Sequence, residues 1–169
     1  MNTQRQEELI TSFLSALGDE TRPVYQDVIL CLSELGYHPS KDKSNISFKH
    51  DLHNKQIAKI GIKKNQEPFF ALRFSACRGY SQRFIEIVAL YTAKYPARVS
   101  RCTDNGCNYC SGEPSTHVYT SISPDGELIK HCGAYAIEIP DITPDDNAEI
   151  RKLIHEEHEY LLKHEAGVS

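Results

Sequence analysis

The stretch Ala58-Lys59-Ile60-Gly61-Ile62-Lys63-Lys64-Asn65-Gln66-Glu67-Pro68-Phe69-Phe70-Ala71-Leu72-Arg73-Phe74 decides the fold. Ala58, Ile60 and Ile62 recur at every second position, and so do Phe70, Leu72 and Phe74. That period is what a strand with one buried face requires. Lys63-Lys64-Asn65-Gln66 between the two runs reads as a hairpin loop, so the runs are expected to pair antiparallel. Just upstream, Ile46 and Phe48 alternate in the same way and open the strand series.

Outward from this centre the period turns helical. Leu9, Ile10, Phe13, Leu14 and Leu17 mark a first helix, with Gly18 as its stop. Thr21-Arg22-Pro23 starts a second, because proline just inside a helix gives up an N–H that would have no partner there. Its apolar stripe is Val24, Val28, Cys31, Leu32 and Leu35, and Gly36 ends it, completing a helical hairpin. Pro39 and the polar residues around it are expected to form a loop before the strands.

Downstream, Ser81 caps a third helix carrying Phe84, Ile85, Val88 and Tyr91, halted by Pro96. Val118 to Ile122 and Leu128 to Cys132 flank Pro124-Asp125-Gly126, and Asp-Gly between alternating runs signals a hairpin. Tyr135, Ile137 and Ile139 read as a short strand ending at Pro140. The last helix has Thr143 as cap, Pro144 inside, and Asp145 and Asp146 at the positive end of the dipole. Ile150, Leu153, Ile154 and Leu161 are its buried face. This order predicts one α+β domain over residues 1–169. It comprises an N-terminal helical hairpin, an antiparallel sheet with packed helices, and a C-terminal hairpin followed by a long helix. Residues 98–140 form a cysteine-rich subregion.

The chain's 169 residues suffice for a core without disulfide staples. A net charge of −4 repels polyphosphate, and Lys94, Arg98 and Arg101 are diluted by Asp104 and Glu113, so nucleic acid is not the expected partner. The opening residues are polar and no apolar run approaches the ~20 residues that cross a bilayer. The expected setting is the cytoplasm, with no membrane association. Thiols stay reduced there, so six cysteines argue for metal ligation or burial.

Spacing decides between those two. Cys102-Thr103-Asp104-Asn105-Gly106-Cys107-Asn108-Tyr109-Cys110 places three thiols close together, and Cys-x-x-Cys lets two thiolates reach one ion. If Asp125 and Gly126 are the two loop residues of the hairpin, Cys132 lies opposite Tyr119 and returns to the base near the other three. Cys102, Cys107, Cys110 and Cys132 are therefore expected to hold a structural Zn2+ as a closed tetrahedral site, with His117 and His131 as alternative fourth ligands. An iron–sulfur redox or sensor module uses similar spacing and is the second reading of the same cysteines. A dithiol redox pair is disfavoured, since Ser111-Gly112-Glu113-Pro114 is a loop and no helix follows Cys110.

Two further sets bear on function. Phe69, Phe70, Arg73, Arg78, Tyr80 and Arg83 are aromatic and basic residues within one short span. Arg73, Arg78 and Tyr80 are the expected ligand contacts of a pocket for a small anionic or aromatic molecule. In that setting Cys77 is the candidate nucleophile of an alternative, enzymatic reading, although no base is evident and no catalytic set is assigned. His155-Glu156-Glu157-His158 spaces its histidines one residue short of a zinc-protease helix and reads as a solvated charged face.

Ala16-Leu17-Gly18-Asp19-Glu20-Thr21-Arg22 resembles the opening of metal-sensing winged-helix repressors. Residues 37–55 lack the helical stripe that a recognition helix needs, so the likeness stops there. Lys43-Ser44-Asn45-Ile46-Ser47-Phe48 after two helices, Cys107-x-x-Cys110 after the third, and Cys132-Gly133-Ala134-Tyr135 after a glycine-turn hairpin carry a broader likeness. Over residues 20–160 the chain resembles a group of small uncharacterised bacterial proteins with a cysteine-rich C-terminal portion. The resemblance implies a metal site and a bacterial, cytoplasmic setting, and it implies no activity.

Overall fold

The computed structural model describes residues 3–98 and 117–164. Helices α1 (Thr3–Ser15) and α2 (Arg22–Glu34) precede strands β1 (Tyr37–Asp42), β2 (Asn45–His50), β3 (Gln56–Ile62) and β4 (Pro68–Leu72). Then come α3 (Gln82–Lys94), the hairpin strands β5 (Val118–Ile122) and β6 (Leu128–Cys132), β7 (Ile137–Glu138) and α4 (Asn147–His164). The architecture is α+β. Among the described residues, β1-β2-β3-β4-β7 form an antiparallel five-stranded sheet and β5-β6 a separate two-stranded ribbon.

Cross-strand register converts the alternating pattern into a packed face. Ile46, Ile60 and Phe70 form one row and Phe48, Ala58, Leu72 and Ile137 the next, all buried. Tyr25 of α2 meets Phe70 edge to face at 6.3 Å, and Phe13 of α1 meets Tyr25 at 5.4 Å, so the helical hairpin closes on this face. Such edge contacts between large rings add to the area they bury. On the opposite face Phe69 and Ala71 look across a groove to Ile87, Leu90 and Tyr91 of α3.

The expected punctuation operates. Ser81 caps α3 by accepting the Phe84 N–H at 3.4 Å, and Asp146 accepts the Thr143 N–H at 2.9 Å in a 3-10 turn that leads into α4. Residues 37–42 depart from expectation, forming β1 instead of a loop. Pro39 is tolerated because β1 is an edge strand, where the backbone is paired on one side only.

The loop between β3 and β4 carries a measurable strain. The Lys63 N–H donates to the Glu67 carbonyl at 2.8 Å and the Gln66 N–H to the Lys63 carbonyl at 2.9 Å, which forces Gln66 to φ +69°. Left-handed backbone costs a residue with a Cβ about 1–2 kcal/mol, and glycine avoids this. Gln66→Gly is expected to stabilise the protein by about 0.5–1 kcal/mol after its larger unfolded-state entropy is subtracted. A higher urea midpoint than wild type is the sign to look for; an unchanged or lower one counts against the strain.

Candidate functional site

The C-terminal ribbon is where the candidate metal ligand Cys132 sits. Ser123 and Glu127 close its turn, with the Ser123 N–H donating to the Glu127 carbonyl at 2.9 Å and Gly126 at φ +83°. This is a three-residue loop ending in a left-handed glycine, longer by one residue than a two-residue Asp-Gly turn. The register shifts accordingly. Cys132 pairs with Val118, not with Tyr119, whose partner is His131. Adjacent residues of a strand point to opposite faces, so Cys132 and His131 lie on different sides of the ribbon. A site centred on Cys132 therefore draws no ligand from His131.

The ribbon is fastened to the main body by Tyr119. Its hydroxyl donates to the Tyr135 carbonyl at 2.7 Å and accepts the Phe74 N–H at 3.1 Å, and burial holds the phenol well above its usual pKa. Just after Cys132, Gly133 accepts a 2.8 Å hydrogen bond from Ser75 through its carbonyl. A Cβ at Gly133 would overlap the His117 carbonyl oxygen and lie 2.5 Å from the Ser75 hydroxyl, so only glycine lets these backbones approach.

Cys102, Cys107 and Cys110 lie outside the described residues. The two ends of the segment carrying them, however, are placed. Arg98 is stacked over Tyr135 at 4.2 Å and Tyr95 at 4.0 Å, and it donates to the Tyr91 hydroxyl at 3.2 Å. Val118 pairs with Cys132 itself. The segment thus departs beside Tyr135 and returns beside Cys132. Among the described residues, no three His, Cys, Asp or Glu side chains are arranged to hold a metal ion. Cys132 forms no disulfide with a described residue.

His117 and His131, the alternative ligands, are both buried. His117 stacks on Tyr160 of α4 at 5.4 Å, whereas the His131 Nδ1 has no hydrogen-bond partner among the described residues. Burial lowers the His131 pKa and keeps that ring neutral.

The residues expected to line a pocket have separate roles. Arg73 is 2% exposed and pairs with Glu157 of α4 at 2.9 Å. Arg78 is exposed on a shallow depression beside Glu156, Glu159 and Lys163. Tyr80 packs edge-on against Phe74 at 5.4 Å. Arg83 reaches Asp146 at 2.9 Å and so braces the entry to α4. Cys77 is buried, and its thiol donates to the Leu153 carbonyl at 3.2 Å. Burial, with Glu157 and Glu156 nearby, pushes that thiol far up. At neutral pH it is not the thiolate that a nucleophile requires.

Two polar groups escaped the sequence reading. Glu157 is fully buried and, besides Arg73, accepts the Ala76 N–H at 2.8 Å. Burial raises its carboxyl pKa, opposed by Arg73 and by that N–H. His158 is also buried, with its Nδ1 3.0 Å from the Tyr37 hydroxyl, which lies 3.2 Å from His53 Nε2. His50 stacks on His53 at 4.7 Å. Residues 155–158 are therefore not a solvated face, since only His155 of the two histidines is exposed. Helical phase carried the signal: Glu157 falls midway between Leu153 and Leu161, and His158 continues the spacing of Ile150 and Ile154.

Against this geometry, comparison with known proteins adds nothing: no family model, curated protein or solved structure matches the chain. Among the described residues, no helix is long and apolar enough to cross a membrane.

Proposed function

We propose that the chain is a zinc-stapled ligand-binding or regulatory module, in which Cys102, Cys107, Cys110 and Cys132 hold one structural Zn2+. What supports this reading is the spacing of the cysteines in the sequence together with the described residues that flank them. Cys102, Cys107 and Cys110 fall within nine residues of sequence, and of the described residues on either side Arg98 stacks over Tyr135 and Val118 is the cross-strand partner of Cys132. Four thiolates leave no open coordination position, so the ion has a structural role and no catalytic one. The reading fits a reducing cytoplasmic setting and the likeness to small bacterial proteins with a cysteine-rich C-terminal portion. Its partner is a small ligand or a protein.

The test is elemental analysis of protein purified anaerobically without added metal, beside Cys132→Ser. One zinc per chain, lost or weakened in the variant, is the expected result. Iron with acid-labile sulfide would replace the reading with a redox or sensor module, and the absence of metal from both samples would end it.

A further inference from the structure

We infer that the groove between α3 and the β4–β7 edge binds an aromatic carboxylate. The inference rests on the reading of the chain as a ligand-binding module and names the site and the class of ligand. The groove has a volume of about 310 Å3, at the small end of the range for ligand pockets (about 300–1,000 Å3). Its walls are Phe69 and Ala71 of β4, Ile87, Leu90 and Tyr91 of α3, and the Ile137 region of β7. Leu90, 71% exposed, gives the groove an accessible apolar rim.

Charge supplies the argument for what occupies the groove. Lys94, Tyr95 and Arg98 also line the groove. Lys94 lies 5.5 Å from the Tyr95 ring, and Arg98 sits between Tyr95 and Tyr135 with a hydrogen bond to the Tyr91 hydroxyl. Those partners are neutral. Among the described residues neither cation has a carboxylate partner, and Glu138, the acid that lines the groove, is tied to Lys63. Two cations held over tyrosine faces beside an apolar wall complement a ligand with one negative end and a flat apolar body. A compact one- or two-ring acid satisfies both demands in the available volume.

Titration calorimetry of the full, metal-loaded chain with 2-naphthoate tests this, with uncharged 2-naphthamide as the shape-matched control. Saturable one-to-one binding of naphthoate is expected, at least tenfold tighter than naphthamide. Leu90→Asp puts a like charge on the exposed wall and is expected to weaken naphthoate at least tenfold. Lys94→Gln is expected to narrow the gap between acid and amide. Both positions are exposed, so circular dichroism should match wild type. Absence of saturable binding, equal affinity for the amide, or indifference to Leu90→Asp would overturn the inference. A chain that holds zinc but fails these tests loses only the groove, and one that binds naphthoate without zinc loses only the staple.

Discussion

Glu157→Gln is expected to destabilise the protein by about 3–5 kcal/mol, because it leaves the Arg73 charge buried without its counter-ion. The side chains of Arg73 and Glu157 are 3% and 0% exposed, and their contact is 2.9 Å. Glutamine keeps the shape of the side chain and an oxygen for the Ala76 N–H, but it turns an NH2 towards the Arg73 Nε–H, so the change removes both the counter-charge and the acceptor that faces Arg73. That loss is a large share of the about 5–15 kcal/mol by which a domain is usually stable. Arg73→Met is expected to be comparably harmful, since among the described residues the buried Glu157 carboxylate then keeps neutral partners, the Ala76 N–H at 2.8 Å and the Ser75 hydroxyl, shared with the Gly133 carbonyl, at 3.4 Å. The double variant Arg73→Met/Glu157→Leu should recover much of the loss, as two apolar side chains carry no desolvation penalty. Urea unfolding of the four proteins reads this directly. A Glu157→Gln midpoint close to wild type, or a double variant no better than the sum of the singles, would show that the pair is not the constraint argued here.

Acid is expected to destabilise the protein through His53 well above the pH at which carboxylates titrate. Burial, reinforced by His50, His158, Arg73 and Lys55, lowers the His53 pKa from its ordinary 6.5 to about 4. The hydrogen bonds agree. The Lys55 N–H donates to Nδ1 at 3.1 Å, which assigns the ring proton to Nε2, facing the Tyr37 hydroxyl at 3.2 Å. Tyr37 is then free to donate to His158 Nδ1 at 3.0 Å, and both rings are held neutral. In His50 the same logic places the proton on Nε2, which donates to the Leu35 carbonyl, while Nδ1 accepts the Leu52 N–H.

A depressed folded-state pKa means the unfolded chain binds more protons between pH 6.5 and 4. Stability is therefore complete above about pH 6.5 and is lost as pH falls, by about 2 kcal/mol at pH 5 and about 3 kcal/mol at pH 4 from His53 alone. His158, lowered in the same direction by burial and by His50, adds to the loss. Urea midpoints between pH 7.5 and 5 should fall steeply in wild type and much less in His53→Gln, whatever that variant's stability at neutral pH. Parallel slopes in the two proteins would remove His53 from the account.

The sequence by itself determined the four α-helices of the described residues, and it did so through local chemistry. Apolar spacing of 3.6, Pro23, Ser81 and the Thr143–Asp146 turn act within a few residues of the backbone they shape. The central hairpin was equally legible, because period two and a polar loop are also local signals. Local chemistry was not enough for β1, whose polar run and Pro39 pass as a loop until an edge position makes them acceptable. Nor did the Asp-Gly signal fix the register of the ribbon. Two loop lengths share it, and they differ by the one residue that moves Cys132 from Tyr119 to Val118.

Only the tertiary structure decided which polar groups are buried. Glu157 reaches Ala76 across 81 residues of sequence, and Tyr37 reaches His158 across 121. Arg98 and Phe69 meet at one groove from different elements. An isolated charge or imidazole belongs in water, and on composition alone residues 155–158 belong there too. Partners close enough to replace water reverse that preference, and folding is what brings them near.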